Sequence, residues 1–251
     1  MAGNYHTAKT LEKGTSQFGM TFSATQYTFN TTDSNGQPTT LKVAIPNLLP
    51  ELTYHVGVAD DVEAGGRIAL GSLGGEFDVK WRFLRNDKLH LAIDPAIGYQ
   101  AFVLIEGGIL RLPAILTYEL TDTLDFNVAG FVSETHFKNV DNNADYSAFN
   151  GSLTGTGVSI GVDLHGEVMS IRPAVEVTRY VYGTGTGSTF EPFNLVNFMV
   201  HIAWTGGREK KQLVRIERKI DNLQPQPSPY PYTPQQYPQQ PPPPPPQPAP
   251  Q

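Results

Sequence analysis

The chain has 251 residues, a formal net charge of −6, 17 % charged residues, 24 glycines, 21 prolines and no cysteine. Without cysteine there is neither a disulfide framework nor a thiolate metal site. The acidic balance argues against nucleic acid as a partner, and no apolar run reaches the ~18 residues of a transmembrane helix. Sparse charge with abundant glycine suits one large all-β domain followed by a low-complexity tail.

Residues 1–16 are polar, carry Lys9, Glu12 and Lys13, and are expected to be a leader to the first strand. Met1-Ala2-Gly3-Asn4-Tyr5-His6 is neither basic nor hydrophobic, so it does not read as a signal peptide, and an exported protein would be numbered here from its mature form. The first strand is expected over 17–29, with Phe18, Met20 and Phe22 on one face and Thr21, Ser23 and Thr25 on the other. Residues 38–50 are ambiguous. The second strand (51–59) sets Leu52, Tyr54, Val56 and Val58 against Thr53, His55 and Gly57, and the third (62–70) sets Ile68 and Leu70 against Glu63 and Arg67.

The fourth strand has the sharpest alternation. In Glu76-Phe77-Asp78-Val79-Lys80-Trp81-Arg82-Phe83 one face is wholly charged and the other wholly apolar. The fifth strand (88–102) places Leu89, Leu91, Ile93, Ile97 and Tyr99 opposite His90, Asp94, Gly98 and Gln100. After Glu106-Gly107-Gly108, the sixth places Leu110, Leu112, Leu116, Tyr118 and Leu120 opposite Arg111, Thr117 and Glu119. The seventh (123–137), eighth (154–165), ninth (167–182) and tenth (193–204) follow the same rule, with Asp125, Asp163, His165, Arg172 and Glu176 on the polar face. Pro95, Pro113 and Pro173 fall inside expected strands, where each removes a ladder hydrogen bond and should mark a bulge.

Residues 206–223 change character: Leu213, Ile216 and Ile220 recur at helical spacing among Arg208, Lys210, Lys211, Arg215, Arg218 and Lys219, which predicts a short basic amphipathic helix. Residues 224–251 hold 14 of the prolines and no charge, and are expected to be an extended polyproline-type tail.

Strands longer than the ordinary 5–6 residues, joined by short turns at one end and by longer loops after strands 1, 7 and 9, fit tilted membrane strands, although the joins after strands 3 and 5 are short and Gly-rich and break the alternation. Aromatic residues gather towards strand ends: Trp81, Phe83, Tyr99, Phe102, Tyr118, Phe126, Tyr180, Tyr182, Phe198 and Trp204. Such girdles belong at the two membrane interfaces. The expected fold is an antiparallel up-and-down transmembrane β-barrel of about ten strands over 17–205, in a bacterial outer membrane. An even strand count puts both termini on the short-turn, periplasmic side. The alternative is a soluble lipocalin-like barrel with the apolar face turned inward around an apolar ligand.

The segment Tyr5-His6-Thr7-Ala8-Lys9-Thr10-Leu11-Glu12-Lys13-Gly14 with the alternating strand after it resembles the start of predicted bacterial outer-membrane β-barrel lipoproteins. The strand–turn–strand style of 50–67 resembles small outer-membrane barrels. The resemblance covers residues 5–205 and implies fold and location, not an activity. In those lipoproteins the segment follows a lipidated cysteine, which this chain lacks.

In such a barrel Arg67, Glu76, Asp78, Lys80, Arg82, His90, Asp94, Arg111, Glu119, Asp163, Arg172 and Glu176 share the interior. Ten strands spaced ~4.8 Å and tilted ~40° leave a backbone diameter of roughly 20 Å, so charges inside must pair. The primary reading is a salt-bridged plug in a structural or tethering module, and the alternative is a narrow polar channel. His90 with Asp94, and Asp163 with His165, have acid–base spacing but no nucleophile beside them, so no enzyme activity is expected. Ten-stranded outer-membrane proteases carry Asp and His at the extracellular rim, and Glu134, His136 and the Asp141 loop do not match them. Asp141-x-Asn143-x-Asp145 lacks the glycine and terminal glutamate of a calcium loop, so no metal or other cofactor is expected. Expected partners are membrane lipid and, through residues 224–251, a periplasmic protein or the cell wall.

Overall fold

The computed structural model describes residues 6–32, 35–71, 73–102, 105–139, 151–185 and 192–206. Among them run β1 (Ser16–Thr32), β2 (Pro38–Ala59), β3 (Val62–Ala69), β4 (Gly74–Arg85), β5 (Leu89–Ile93), β6 (Ala96–Phe102), β7 (Ile105–Thr121), β8 (Leu124–Asn139), β9 (Gly151–His165), β10 (Met169–Gly185) and β11 (Phe193–Gly206). Every ladder is antiparallel, β11 pairs with β1, and β3 pairs with β4, so the sheet closes on itself. β5 and β6 both lie between β4 and β7 and form one stave, giving ten staves from eleven segments. The helix expected over 206–223, the tail over 224–251 and the Asp141 loop lie outside the described residues, apart from Gly206, which ends β11.

Alternation decides what each face meets. Phe77, Trp81, Ile97, Val158, Ile160 and Val177 point out of the barrel, with Phe77 55 % and Ile160 51 % exposed. Glu76, Asp78, Lys80, Arg67 and Glu176 on the opposite parity are buried. The apolar face is therefore outside and the charged face inside, the reverse of a lipocalin-like barrel. Full closure leaves the staves no unpaired edge around the ring.

The prolines sit where the ladder is already interrupted. β7 pairs with β5 through Ala114 and with β6 through Arg111, so Leu112 and Pro113 face the break at Asp94-Pro95. The two residues that lack an N–H thus share one defect, bridged by bonds from the Asp94 amide to the Pro113 carbonyl and from the Val79 amide to the Pro95 carbonyl, each 3.1 Å. That break is why the stave expected to run unbroken over 88–102 appears as two strands. Pro173 keeps its pairing with Val200 on β11 while the ladder to β9 lapses between Ile171 and Ala174.

Two boundaries differ from expectation. Glu106-Gly107-Gly108 is not a turn: these residues pair with Ala101, Gln100 and Tyr99 inside β7. Residues 38–50 are strand, because β1 continues to Thr32 and pairs with them along one edge, while pairing with β3 begins only at Glu51. Only the tip of this hairpin, Phe29–Thr32 with Pro38–Leu41, runs past the pairing of β1 with β11. At the end of the barrel that holds β1's start and β11's finish, the connections span 60–61, 86–88, 122–123 and 166–168, and the opposite end carries 33–37, 70–73, 103–104, 140–150 and 186–192, so the three longest lie there although 103–104 is as short as any turn.

Ile160 lies near the middle of β9's outer face. Ile160→Arg is expected to cost about 2–4 kcal/mol when the protein unfolds from lipid vesicles, as for a cation at the bilayer midplane. A water-facing position would change by about 0.5 kcal/mol or less, and urea titration in vesicles separates the two.

Candidate functional site

The interior is built from one inserted segment and from the inward side chains of the staves. Residues 6–15, expected to be a leader, run into the barrel, with Thr7, Ala8 and Thr15 buried and Glu12, Lys13 and Gly14 exposed where the segment crosses the rim. The Ala8 amide donates to Thr117 Oγ1 of β7 at 2.7 Å, and the Leu11 amide to Glu63 Oε2 of β3 at 2.8 Å. Lys9 Nζ reaches Asp125 of β8 and Glu119 of β7, both at 2.8 Å. His6 Nδ1 meets Asp94 Oδ2 at 2.5 Å. Gly14 and Thr15 exchange backbone bonds with Gly57 of β2, at 2.8 and 3.0 Å. Gly57 has to be glycine here, since a Cβ would stand 2.3 Å from the Glu12 carbonyl oxygen.

The wall supplies the charge pairs. Glu76 Oε1 accepts from Arg67 Nη2 and Arg111 Nη2, each at 2.6 Å, Lys80 Nζ donates to Glu63 at 2.9 Å, and Arg172 Nε donates to Asp163 at 2.9 Å. Arg82 reaches Asp61 at the terminal rim, with Nε to Oδ1 at 2.7 Å. Glu176 is buried and accepts from Thr178 at 3.3 Å. Inward acids outnumber inward lysines and arginines, and histidines make up the difference. His55 lies 3.2 Å from Asp78, His90 2.9 Å from Glu119, and His165 3.3 Å from Asp125. An imidazole can meet a carboxylate as a neutral donor or as a cation, so each such pair avoids a bare buried charge.

All twelve charged residues expected inside point inward, but the two expected dyads do not form. His90 is turned to Glu119 and Asp94 to His6, and Asp163 is held by Arg172 while His165 faces Asp125. Four-residue and two-residue spacing along one strand puts groups on one face, yet the neighbouring staves offer nearer partners. The sequence reading left Lys9 and His6 out of the interior, because a polar segment without alternation gives no sign that it enters a lumen.

The aromatic residues correct the expected girdles. Trp81, Phe83, Tyr118 and Trp204 do lie outward near the terminal end, where Phe18 stacks on Trp204 at 6.3 Å. Tyr99 lies outward and its hydroxyl donates to Glu106. Phe126 is half-buried on the outward parity of β8. Phe198 is also outward but mid-strand, paired with Ala24 and Val175. Tyr180 shares the inward parity of Glu176 and Thr178 and stacks on Phe193 at 4.8 Å, and Phe193 in turn meets Phe29 at 5.3 Å. This cluster lines one side of the loop-end mouth. Nothing is described of the Phe102 and Tyr182 side chains.

Little open space remains. A vestibule of about 440 Å³ beside Lys9 and Leu11 opens at the terminal end, and two inner cavities measure about 10 Å³ each, roughly one water.

Fold and lumen define the class: a closed antiparallel β-barrel, apolar outside and charge-paired inside. Residues 87–233 match the family model described as Nickel insertion protein, and by that match, which spans more than half of the sequence, the chain belongs to this family. The matched span begins at the turn before β5 and so cuts the barrel. No curated protein matches the sequence. Among solved structures, the chain is similar to the outer membrane protease OmpT of Escherichia coli, at 9 % identity over 79 % of this chain and 99 % of that one, with a TM-score of 0.41. It is similar to the translocator domain of the autotransporter NalP of Neisseria meningitidis, at 11 % identity over 77 % and 89 %, with a TM-score of 0.42. It is also similar to Neisserial surface protein A, at 10 % identity over 76 % and 99 %, with a TM-score of 0.38.

Glu76→Gln removes the charged acceptor that Arg67 and Arg111 share, leaving Arg67 with Glu51 at 3.9 Å, and is expected to cost about 3–5 kcal/mol. Glu134→Gln, at the exposed pair with His136, is expected to change stability by about 0.5 kcal/mol or less. Urea midpoints of the folded barrels check both values.

Proposed function

We propose that the chain is a non-enzymatic barrel of the bacterial outer membrane, with both termini at the periplasmic face, acting as a structural or tethering module. The observation that carries this reading is the inserted segment: residues 6–15 bond to β2, β3, β7 and β8, and the charge pairs fill the space around them. A lumen so occupied favours a rigid, closed wall over a passage. The outward belt supports membrane lipid as the solvent of the exterior. The start of β1 and the finish of β11 share an end with four connections of two or three residues, and short turns face the periplasm in such barrels, which supports the orientation. Residues 224–251 would then reach a periplasmic protein or the cell wall from that side.

The absence of catalysis in this reading rests on the diverted dyads, each acid or histidine being held by a different partner. Nickel handling, which the family's description suggests, draws no support from the matched span. Its inward histidines His90, His165 and His201 face Glu119, Asp125 and Thr21 and do not converge.

A second reading, a narrow polar channel gated by its own N-terminal segment, is favoured by the vestibule and by the obstruction being a chain segment separate from the wall. Planar bilayers separate the two. The full chain is expected to stay at baseline, and a variant lacking residues 6–15 to give discrete conductance steps. Steps of equal size from both would overturn the closed-barrel reading.

A further inference from the structure

The tip of the inserted segment meets the wall at a cluster that the charge pairing does not exhaust. One ligating atom each from His6, His55 and Asp78 lies within 4.8 Å of those of the other two. The imidazoles of His6 and His55 stand 5.1 Å apart at 88°, edge to face. His55 and Asp78 are buried, and Asp78 is 3 % exposed. We propose that His6, His55 and Asp78 form a binding site for a divalent first-row transition ion, closed by insertion of the N-terminal segment, with Asp94 orienting His6.

Two imidazoles and one carboxylate suit Zn(II), Ni(II), Co(II) or Fe(II) and are a poor match for Mg(II) or Ca(II), which take oxygen ligands. A tetrahedral ion with bonds of ~2.1 Å spaces its ligand atoms roughly 3.4 Å apart, so modest side-chain rotation draws the three groups together. Asp94 accepts from His6 Nδ1 at 2.5 Å. A carboxylate on one ring nitrogen is the usual outer support of a metal-bound histidine, and with Nδ1 so engaged, Nε2 is the nitrogen that would ligate.

The local charges favour the ion. Glu76 takes Arg67 and Arg111, and Lys80 takes Glu63, so Asp78 and Asp94 face histidines. Asp94 Oδ1 and Glu76 Oε2 are buried with no hydrogen-bond partner among the described residues. Both residues line the 10 Å³ cavity next to His6 and Asp78, which has room for one small ion or water and whose wall also holds Arg67 and Arg111, both bonded to Glu76 Oε1. An approach exists from the terminal end, where the vestibule reaches Glu63 and Lys80, and Asp78 is the next inward residue on β4. The site lies outside residues 87–233 except for Asp94, and it needs two elements far apart in sequence, the segment before β1 and the β2–β4 wall.

The test uses the untagged full chain, chelator-treated, refolded in detergent and checked for heat-modifiable migration. It is then loaded with Co(II) or Ni(II), desalted and assayed for metal by mass spectrometry. About one equivalent per chain is expected, with Co(II) giving visible d–d bands. His6→Gln and His55→Gln are expected to drop binding to background, and Asp94→Asn to weaken it about 10–100-fold. His136→Gln and His165→Gln should keep one equivalent. If His55→Gln does not fold, His6→Gln decides, because His6 belongs to no stave. Less than a tenth of an equivalent on the wild-type chain, or wild-type binding by the folded His6→Gln protein, overturns the site and leaves two plain acid–histidine pairs.

Discussion

A ring of ten staves gives each strand one face towards the exterior and one towards a space only a few side chains wide, and every charge on the inner face has to find its opposite there. The rest of the molecule follows from that constraint. Buried ions cost several kcal/mol each unless paired and hydrogen-bonded, so inward acids and bases are distributed as neighbours across staves. Glu76 on β4 collects Arg67 from β3 and Arg111 from β7, and Arg172 on β10 meets Asp163 on β9. Pairing across staves also locks register, because a slip of one residue would turn these charges outward and the apolar belt inward.

The same constraint explains why a chain end enters the lumen. The wall carries more inward acid than arginine and lysine can match. Lys9 brings one cation to Asp125 and Glu119, His6 one imidazole to Asp94, and the Leu11 amide one more donor to Glu63. The inserted segment is thus part of the barrel's electrostatic balance, and Gly57 keeps the wall low enough for its backbone to pass. Insertion and wall stability are coupled, since withdrawing the segment would leave buried carboxylates short of donors.

The architecture is legible in the sequence because alternation has period two and most of the barrel's strands follow it between their bulges. Glu76 to Phe83 is enough to assign both faces. What was not legible came from partners distant in sequence. Residues 6–15 carry no period, so their place inside could not be read. Residues 38–50 give no strand signal because they hold three prolines, Pro38, Pro46 and Pro50, and are paired by β1 alone. Tyr180 lies close to a strand end, as a girdle residue would, but its parity puts it inside with Phe193. His90 and Asp94 share a strand face, but their choice of Glu119 and His6 depends on the neighbouring stave and the inserted segment.

The central claim is the orientation of the sheet, apolar face to lipid and charged face to a filled lumen. The chain's two tryptophans, Trp81 and Trp204, both point outward, 52 % and 37 % exposed. Fluorescence quenching in vesicles containing brominated phospholipid tests the claim most directly. The account predicts strong quenching of both by the lipid-borne bromine and weak quenching by aqueous iodide. Quenching by iodide with none from the brominated lipid would contradict it.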